Sequence, residues 1–155
     1  MVHGPKDYVP IRVKPCEPHH LPALRELYLI SRTKTFTWLK TQDFRLDDFD
    51  TDTLGETIWV GEVAGNLGGF VSIWEPDQFV HHLYVDQIFQ HQGIGTLLIQ
   101  KAFATYGRLS LKCMVQNQKA KDFYEFLGFT TQSQVDDEFG GYYLMVLNQW
   151  IKPES

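Results

Sequence analysis

Residues 83–96 read Leu-Tyr-Val-Asp-Gln-Ile-Phe-Gln-His-Gln-Gly-Ile-Gly-Thr, which predicts a strand end, a short loop and a helix start. The first turn of a helix exposes unpaired backbone N–H groups at the positive end of the helix dipole. Because Gly93 and Gly95 lack a Cβ, the backbone there can approach a phosphate closely. The alternative interpretation is an ordinary strand-to-helix turn that needs glycine for its geometry. Two other phosphate-binding motifs are excluded. The glycine motif of dinucleotide-binding folds would need glycine at position 90, where this chain has Gln90, and the P-loop would need a Gly-Lys-Ser/Thr sequence, which does not follow.

The periodicity of the flanking sequence predicts a regular order of strands and helices. Glycine and asparagine at Gly65-Asn66 predict a hairpin, and Pro22 falls in a first helical turn. The predicted strands span Ile11–Cys16, Thr57–Val63, Gly69–Trp74, Phe79–Val85, Leu109–Val115, Thr130–Val135 and Tyr142–Leu147. The predicted helices begin near Leu21, Gly93 and Asn117, and residues 41–54 form a short helix or a loop. This order predicts an α/β (α+β) fold: a mixed, mostly antiparallel sheet with helices on both faces.

A second block, from Asn117 to Phe129, reads Asn-Gln-Lys-Ala-Lys-Asp-Phe-Tyr-Glu-Phe-Leu-Gly-Phe. Asn117 is placed to cap a helix, and Gly128 lies just past its end. Together with Val-Asp-x-x-x-Gln-x-x-Gly-x-Gly at residues 85–95, this block resembles the GCN5-related N-acetyltransferases (GNAT). The chain is similar to the small bacterial single-domain members of that family. The resemblance covers nearly the whole chain, with a loose arm at residues 1–10, one domain at 11–150 and a tail at 151–155.

The resemblance implies acetyl-CoA as the acetyl donor and an N-acetyltransferase activity on an amine. Backbone amides of the turn at residues 90–96 would bind the coenzyme A pyrophosphate. The pantetheine arm would pair with the strand ending at Val85, which must then separate from the strand starting at Leu109. The cofactor-binding residues that the resemblance implies are Leu83, Tyr84, Val85, Gln90, His91, Gln92, Gly93, Ile94, Gly95, Thr96, Asn117, Ala120, Phe123 and Tyr124.

Two residues are predicted to be catalytic. Tyr124 matches the family tyrosine near the thioester sulfur, where a neutral phenol donates a proton to the leaving thiolate. The alternative for Tyr124 is core packing at helical spacing. His82 lies where many family members also have histidine, and either a basic or a structural role is open. Because neighbouring strand residues point to opposite faces, we expect at most one of His81 and His82 to face the acceptor.

The general base is otherwise open. An alkylamine has a pKa of roughly 10.4, so it must lose a proton before it attacks the thioester. Some relatives use a glutamate on the strand of Leu109–Val115, where this chain has Lys112. Glu62, Glu75 or a water chain remain candidates. The aromatic residues Phe36, Trp38, Trp74, Tyr142 and Tyr143 are candidates for the acceptor pocket or for the core. Lys119 and Lys121 could meet the coenzyme phosphates or form a solvated helix face.

Composition narrows the remaining function classes. The net charge is −5 and no long Lys/Arg run occurs, so we expect no nucleic-acid partner. No apolar run would span a bilayer and the N-terminus lacks a signal-peptide pattern, so we expect a cytoplasmic protein without a membrane partner. Cys16 and Cys113 are expected to be buried thiols, although one disulfide is conceivable. No metal-ligand spacing is present.

The acceptor is therefore expected to be a small-molecule or peptide amine, and the protein a monomer or homodimer. The expected reaction is direct attack of the amine in a ternary complex. The alternative function is a non-catalytic coenzyme A-binding sensor or interaction module.

Overall fold

A computed structural model describes residues 10–36 and 40–151 of the chain. The strands are β1 (Ile11–Pro15), β2 (Thr57–Val63), β3 (Asn66–Trp74), β4 (Phe79–Val85), β5 (Leu109–Met114), β6 (Thr130–Val135) and β7 (Tyr142–Leu147). The helices are α1 (Leu21–Thr35), α2 (Asp48–Asp52), α3 (Ile94–Tyr106) and α4 (Gln118–Leu127). The predicted element order is confirmed. The arm at residues 1–9 and the tail at 152–155 lie outside the described residues.

The strands form one seven-stranded sheet in the order β1-β2-β3-β4-β5-β7-β6. All neighbouring strands are antiparallel except β4 and β5, which run parallel. The mixed, mostly antiparallel sheet predicted from the sequence is thus confirmed. Only two residue pairs join the parallel strands, Phe79 with Ser110 and Val80 with Leu111. Beyond Val80 the two strands are no longer paired, and the centre of the sheet opens.

Helices cover both faces of the sheet, as predicted. On one face, α3 and α4 bury a large apolar core that includes Leu98, Ile99 and Leu127. On the other face, α1 and α2 enclose a smaller aromatic core of Tyr28, Phe49 and Phe70. The rings of Tyr28 and Phe49 meet edge to face, with centroids 5.9 Å apart. Both cores contact β4, one on each face of the sheet. Beyond Val80, β4 pairs with β3 along one edge, and its other edge faces the opening toward β5.

The start of α3 is seated against the β2–β3 hairpin by one side chain. Ile94 is 1% exposed. A Cβ added to Gly68 would lie 2.7 Å from the Cδ1 atom of Ile94 and 3.2 Å from Cγ2 of Val63. Such a contact is closer than packed atoms allow, so glycine at position 68 lets α3 approach the sheet.

Replacing Gly68 with alanine should therefore overpack this contact and lower the free energy of unfolding by about 1–3 kcal/mol. Urea unfolding of the Gly68→Ala variant measures the loss. An Ile94→Val background removes the clashing Cδ1 atom, so there the same substitution should cost less. An equal cost in both backgrounds would show that Ile94 does not set the distance of α3 from the sheet.

Candidate active site

A cavity of about 1,080 Å³ opens where β4 and β5 separate. It extends along α1 and to the first turn of α4. Eight of the residues predicted from the sequence line it: His82, Leu83, Tyr84, Val85, Gln90, Asn117, Ala120 and Tyr124. The sheet opening thus brings together residues from two predicted motifs that are more than twenty positions apart.

The free edge of β4 supplies backbone hydrogen-bonding groups to this cavity. Leu83, Tyr84 and Val85 pair with β3 on one edge only. Backbone N–H and C=O groups alternate in direction along a strand, so those that point away from β3 face the opening. Unpaired backbone groups of this kind bind an extended amide-containing chain as an added strand would.

The turn before α3 adjoins the cavity at Gln90 and contains two residues with positive φ. His91 and Gly93 both have left-handed backbone, with φ of 66° and 89°. A Cβ at Gly93 would meet no atom within 4 Å, so glycine is favoured there by its positive φ. Of the residues from Gln90 to Thr96, only Gln90 lines the cavity. The N–H groups of the first helical turn have no partner within the helix and remain available to an anion.

Gly95 is also constrained by the packing of two helices. It is buried, and a Cβ there would lie 3.1 Å from Cζ of the Phe123 ring. Glycine at this position therefore allows α3 and α4 to come into contact. Phe123 packs against the larger core and does not line the cavity.

Asn117, the N-cap of α4, and Tyr124 within that helix line one wall of the cavity. The Asn117 side chain accepts a hydrogen bond from the Ala120 N–H at 3.2 Å, which confirms the predicted helix cap. Tyr124 packs against Phe129, with ring centroids 5.4 Å apart. Burial, with smaller contributions from Cys113 and Tyr84, raises the pKa of Tyr124 above its ordinary value. Tyr124 therefore stays a neutral phenol at physiological pH and can donate a proton.

His81 and His82 do not point to opposite faces as expected. Ser72 pairs with His82 and the next residue, Ile73, pairs with Val80, so His81 is an extra residue in a β-bulge. The two imidazole rings consequently lie on the same side, with centroids 3.9 Å apart. Both histidines line the cavity.

Glu56 orients the His81 ring, and no motif in the sequence pointed to this residue. The Ser72 hydroxyl donates to one oxygen of the Glu56 carboxylate. The other oxygen lies 2.5 Å from Nδ1 of His81. The Glu56 side chain is 6% exposed and the His81 side chain 44% exposed. Because a carboxylate only accepts, neutral His81 carries its hydrogen on Nδ1 and keeps a lone pair on Nε2.

His82 has a different environment. Its Nε2 lies 3.4 Å from the Asp52 carbonyl oxygen, and its ring meets Tyr28 edge to face at 5.2 Å. Burial, assisted by the neighbouring His81, lowers the pKa of His82 to about 3. A histidine with so low a pKa remains neutral and is a weak proton acceptor at neutral pH.

The carboxylates considered as bases lie elsewhere. Glu62 is 2.7 Å from Nε2 of His20 and 3.3 Å from Nζ of Lys14. Glu75 accepts a hydrogen bond of 2.6 Å from the Tyr106 hydroxyl. Neither Glu62 nor Glu75 lines the cavity.

Among the aromatic candidates in the described residues, Phe36 alone lines the cavity. Trp74 lies against Gly55, and Tyr143 lies under the ammonium group of Lys121 at 4.8 Å. Tyr142 is in contact with Lys112, which does line the cavity. Trp38 lies outside the described residues.

The other sequence predictions have mixed outcomes. Lys119 lines the cavity, whereas Lys121 is 3.7 Å from Glu125.

Both cysteines are free thiols; Cys113 is buried as expected, but Cys16 is only half-buried. Burial raises the pKa of Cys113 to about 11, so its thiol is a poor nucleophile at neutral pH. No helix in the described part of the chain is long and apolar enough to cross a bilayer.

Comparison with known proteins identifies relatives of one kind. The model of the acetyltransferase (GNAT) family matches residues 21–129. The peptidyl-lysine N-acetyltransferase YiaC of Escherichia coli is 32% identical over 121 residues, covering 76% of this chain and 82% of YiaC. The 5-NmdU N-acetyltransferase of Pseudomonas phage PaMx11 is 33% identical over 99 residues, covering 60% of this chain and 69% of the relative.

A solved structure agrees with the fold. The PaiA N-acetyltransferase of Thermoplasma acidophilum, in complex with coenzyme A, superposes with a TM-score of 0.71 at 16% identity. The match covers 88% of this chain and 98% of that protein.

The low pKa of His82 predicts a specific pH dependence of stability. The unfolded chain takes up a proton on this side chain as pH falls through 6.5, whereas the folded chain does so only near pH 3. The free energy of unfolding should therefore fall between pH 7 and pH 5, with His82 contributing roughly 2 kcal/mol of that fall. Urea unfolding at both pH values should show a smaller fall for His82→Gln than for the wild type. Equal falls would contradict a buried, neutral His82.

Proposed function

The chain belongs to the acetyltransferase (GNAT) family and is an N-acetyltransferase, and we propose that it transfers acetyl from acetyl-CoA to a primary amine by direct attack in a ternary complex. The observation that carries this proposal is the arrangement around the β4–β5 opening. Tyr124 lines the cavity from α4, and the Glu56–His81 pair lies at the bulge of β4. A proton donor and a proton acceptor thus share one cavity.

The cavity and the adjoining turn at residues 90–96 fit the coenzyme in three respects. The first turn of α3 offers backbone N–H groups to a pyrophosphate. The free edge of β4 at Leu83 and Val85 offers the pairing groups that the pantetheine amides need. Asn117 lines the same cavity and could bond the pantetheine as well as cap α4. We assign the turn residues from Gln90 to Thr96 to the coenzyme through their backbone.

His81, rather than His82, is proposed as the general base. Its Nε2 has no hydrogen-bond partner among the described residues and can take a proton from the ammonium form of the acceptor amine, and Glu56 stabilises the imidazolium that forms. A backbone N–H of β4 would polarise the thioester carbonyl oxygen as negative charge develops there. The amine nitrogen forms the new amide bond, the carbon–sulfur bond breaks, and Tyr124 gives its proton to the departing sulfur. The nitrogen's second proton returns to the Tyr124 oxygen, which leaves a neutral amide and a neutral phenol.

A covalent acetyl-enzyme is not proposed. Cys113 is the thiol nearest the cavity, and its pKa of about 11 leaves it protonated at neutral pH. Attack by the amine on the thioester therefore needs no intermediate carried by the protein.

For the acceptor we propose the lysine side chain of a peptide. YiaC is a peptidyl-lysine N-acetyltransferase and covers most of this chain. The cavity has a volume of about 1,080 Å³ and is lined by residues of both α1 and β5. We further propose that the protein acts in the cytoplasm, alone or as a homodimer. A non-catalytic coenzyme A-binding module is the alternative, and it would need neither His81 nor Tyr124.

The variants His81→Gln, Glu56→Gln and Tyr124→Phe should each lower kcat by roughly 10²-fold, because each removes one proton-transfer group or its orienting partner. Acetyl-CoA at 100 times its Kd should still stabilise these variants by about 2.7 kcal/mol. For a domain of this size the stabilisation raises Tm by roughly 5 °C. A peptide-acetylation assay and thermal unfolding with acetyl-CoA measure the two effects.

The matched control is His19→Gln, a histidine whose side chain is 62% exposed and which does not line the cavity. It should change neither kcat nor the shift in Tm. Stabilisation by acetyl-CoA without turnover on any amine would support the non-catalytic alternative. ATP that stabilises as well as acetyl-CoA does would contradict the assignment of the turn to coenzyme A.

A further inference from the structure

We propose that Lys112 selects acceptors that carry a carboxylate beside the reacting amine, so that the preferred substrate is a peptide lysine flanked by Asp or Glu. This inference rests on the proposed acetyl transfer to peptide lysine and adds the sequence context of that lysine. Three features of Lys112 support it: its position across the opening from His81, the face of the sheet to which its side chain points, and the charges around its ammonium group.

The strand register places Lys112 directly across the opening from His81. The last two parallel pairs are Phe79 with Ser110 and Val80 with Leu111. One step further along both strands come His81 and Lys112, which are no longer paired. Both residues line the cavity. Lys112 is therefore the residue of β5 that lies opposite the proposed general base.

Strand alternation also puts Lys112 on the same face as His81. Leu111 and Cys113 are buried in the core formed with α3 and α4. Lys112 between them points to the other face and is exposed. His82 and Tyr84 contact Tyr28 of α1 on that face, and the His81 ring lies beside His82. An amine that approaches His81 thus passes the Lys112 side chain.

The charge of Lys112 is uncompensated within residues 10–36 and 40–151. No carboxylate in that part of the chain lies within 4.0 Å of its ammonium nitrogen, which rests 4.8 Å from the Tyr142 ring centroid. Lys34, another cation at the cavity, donates to the Gln87 amide oxygen at 2.8 Å. The Lys112 ammonium group therefore retains its capacity to pair with a substrate anion.

The carboxylates that line the cavity lie away from this point. Asp86 follows the far end of β4 and accepts a hydrogen bond from the Ile88 N–H at 3.0 Å. Glu26 lies on α1, which packs over β3 and β4 rather than over β5. Glu56 lies at this point but is only 6% exposed and is bonded to His81 and Ser72. Lys112 is therefore the exposed charge that an acceptor meets opposite His81, in a chain whose net charge is −5.

A single lysine fits a carboxylate on a short peptide better than a nucleic acid. Nucleic-acid binding requires several cations along a phosphate backbone, and the overall negative charge opposes it. Arginine or lysine beside the acceptor would be repelled by Lys112, whereas Glu or Asp would be attracted. We therefore expect selection against basic flanks as well as for acidic ones.

The test uses three peptides that each contain one lysine, flanked on both sides by Glu, Gln or Arg. For the wild type, kcat/KM should fall in the order Glu, Gln, Arg, by roughly 10-fold from first to last. Lys112→Glu should reverse the order, and Lys112→Met should abolish most of the preference. The effect should appear mainly in KM and weaken as salt rises. Lys101→Glu makes the same charge change on α3, on the opposite face, and should keep the wild-type order.

The outcomes separate this inference from the proposed function. Equal rates on the three peptides, or an unchanged order in Lys112→Glu, would overturn the role of Lys112 while leaving acetyl transfer intact. Faster acetylation of an amine-bearing oligonucleotide than of the Glu-flanked peptide would also overturn it. No turnover with any acceptor would count against the proposed function itself.

Discussion

The separation of β4 from β5 after Val80 is the constraint on which the active site depends. Two parallel pairs hold the strands together at one end, and beyond them the backbone of β4 is paired on one edge only. Backbone groups without a protein partner bond to water or to a ligand. The opening therefore suits a ligand with its own amides, and the cavity beside it has the volume for one.

The bulge at His81 acts together with this separation. The extra residue rotates β4 locally, so His81 and His82 share one side of the sheet. One histidine is then buried against Asp52 and Tyr28 and stays neutral, while the other reaches the cavity with Glu56 behind it. Two adjacent residues of the same type thus acquire different properties from burial and hydrogen bonding alone.

The sequence predicted the fold well because its signals were local. Gly107 and Gly128 ended helices, Asn117 capped one, and alternating apolar residues marked the strands. Contacts between distant residues left no such signal. Glu56 precedes β2 without any motif, and only the folded sheet brings it to His81 and Ser72. The bulge likewise depends on the register between β3 and β4, so strict alternation gave the wrong orientation for His81.

The central claim is that the freed edge of β4 and the first turn of α3 bind acetyl-CoA, and amide hydrogen exchange tests it most directly. With saturating acetyl-CoA, exchange should slow at residues 83–85 and across residues 90–96. The outer strand β6, which is exposed along its length and distant from the opening, should exchange at an unchanged rate. Exchange at residues 83–85 that is unaffected by a saturating concentration of acetyl-CoA would contradict the claim.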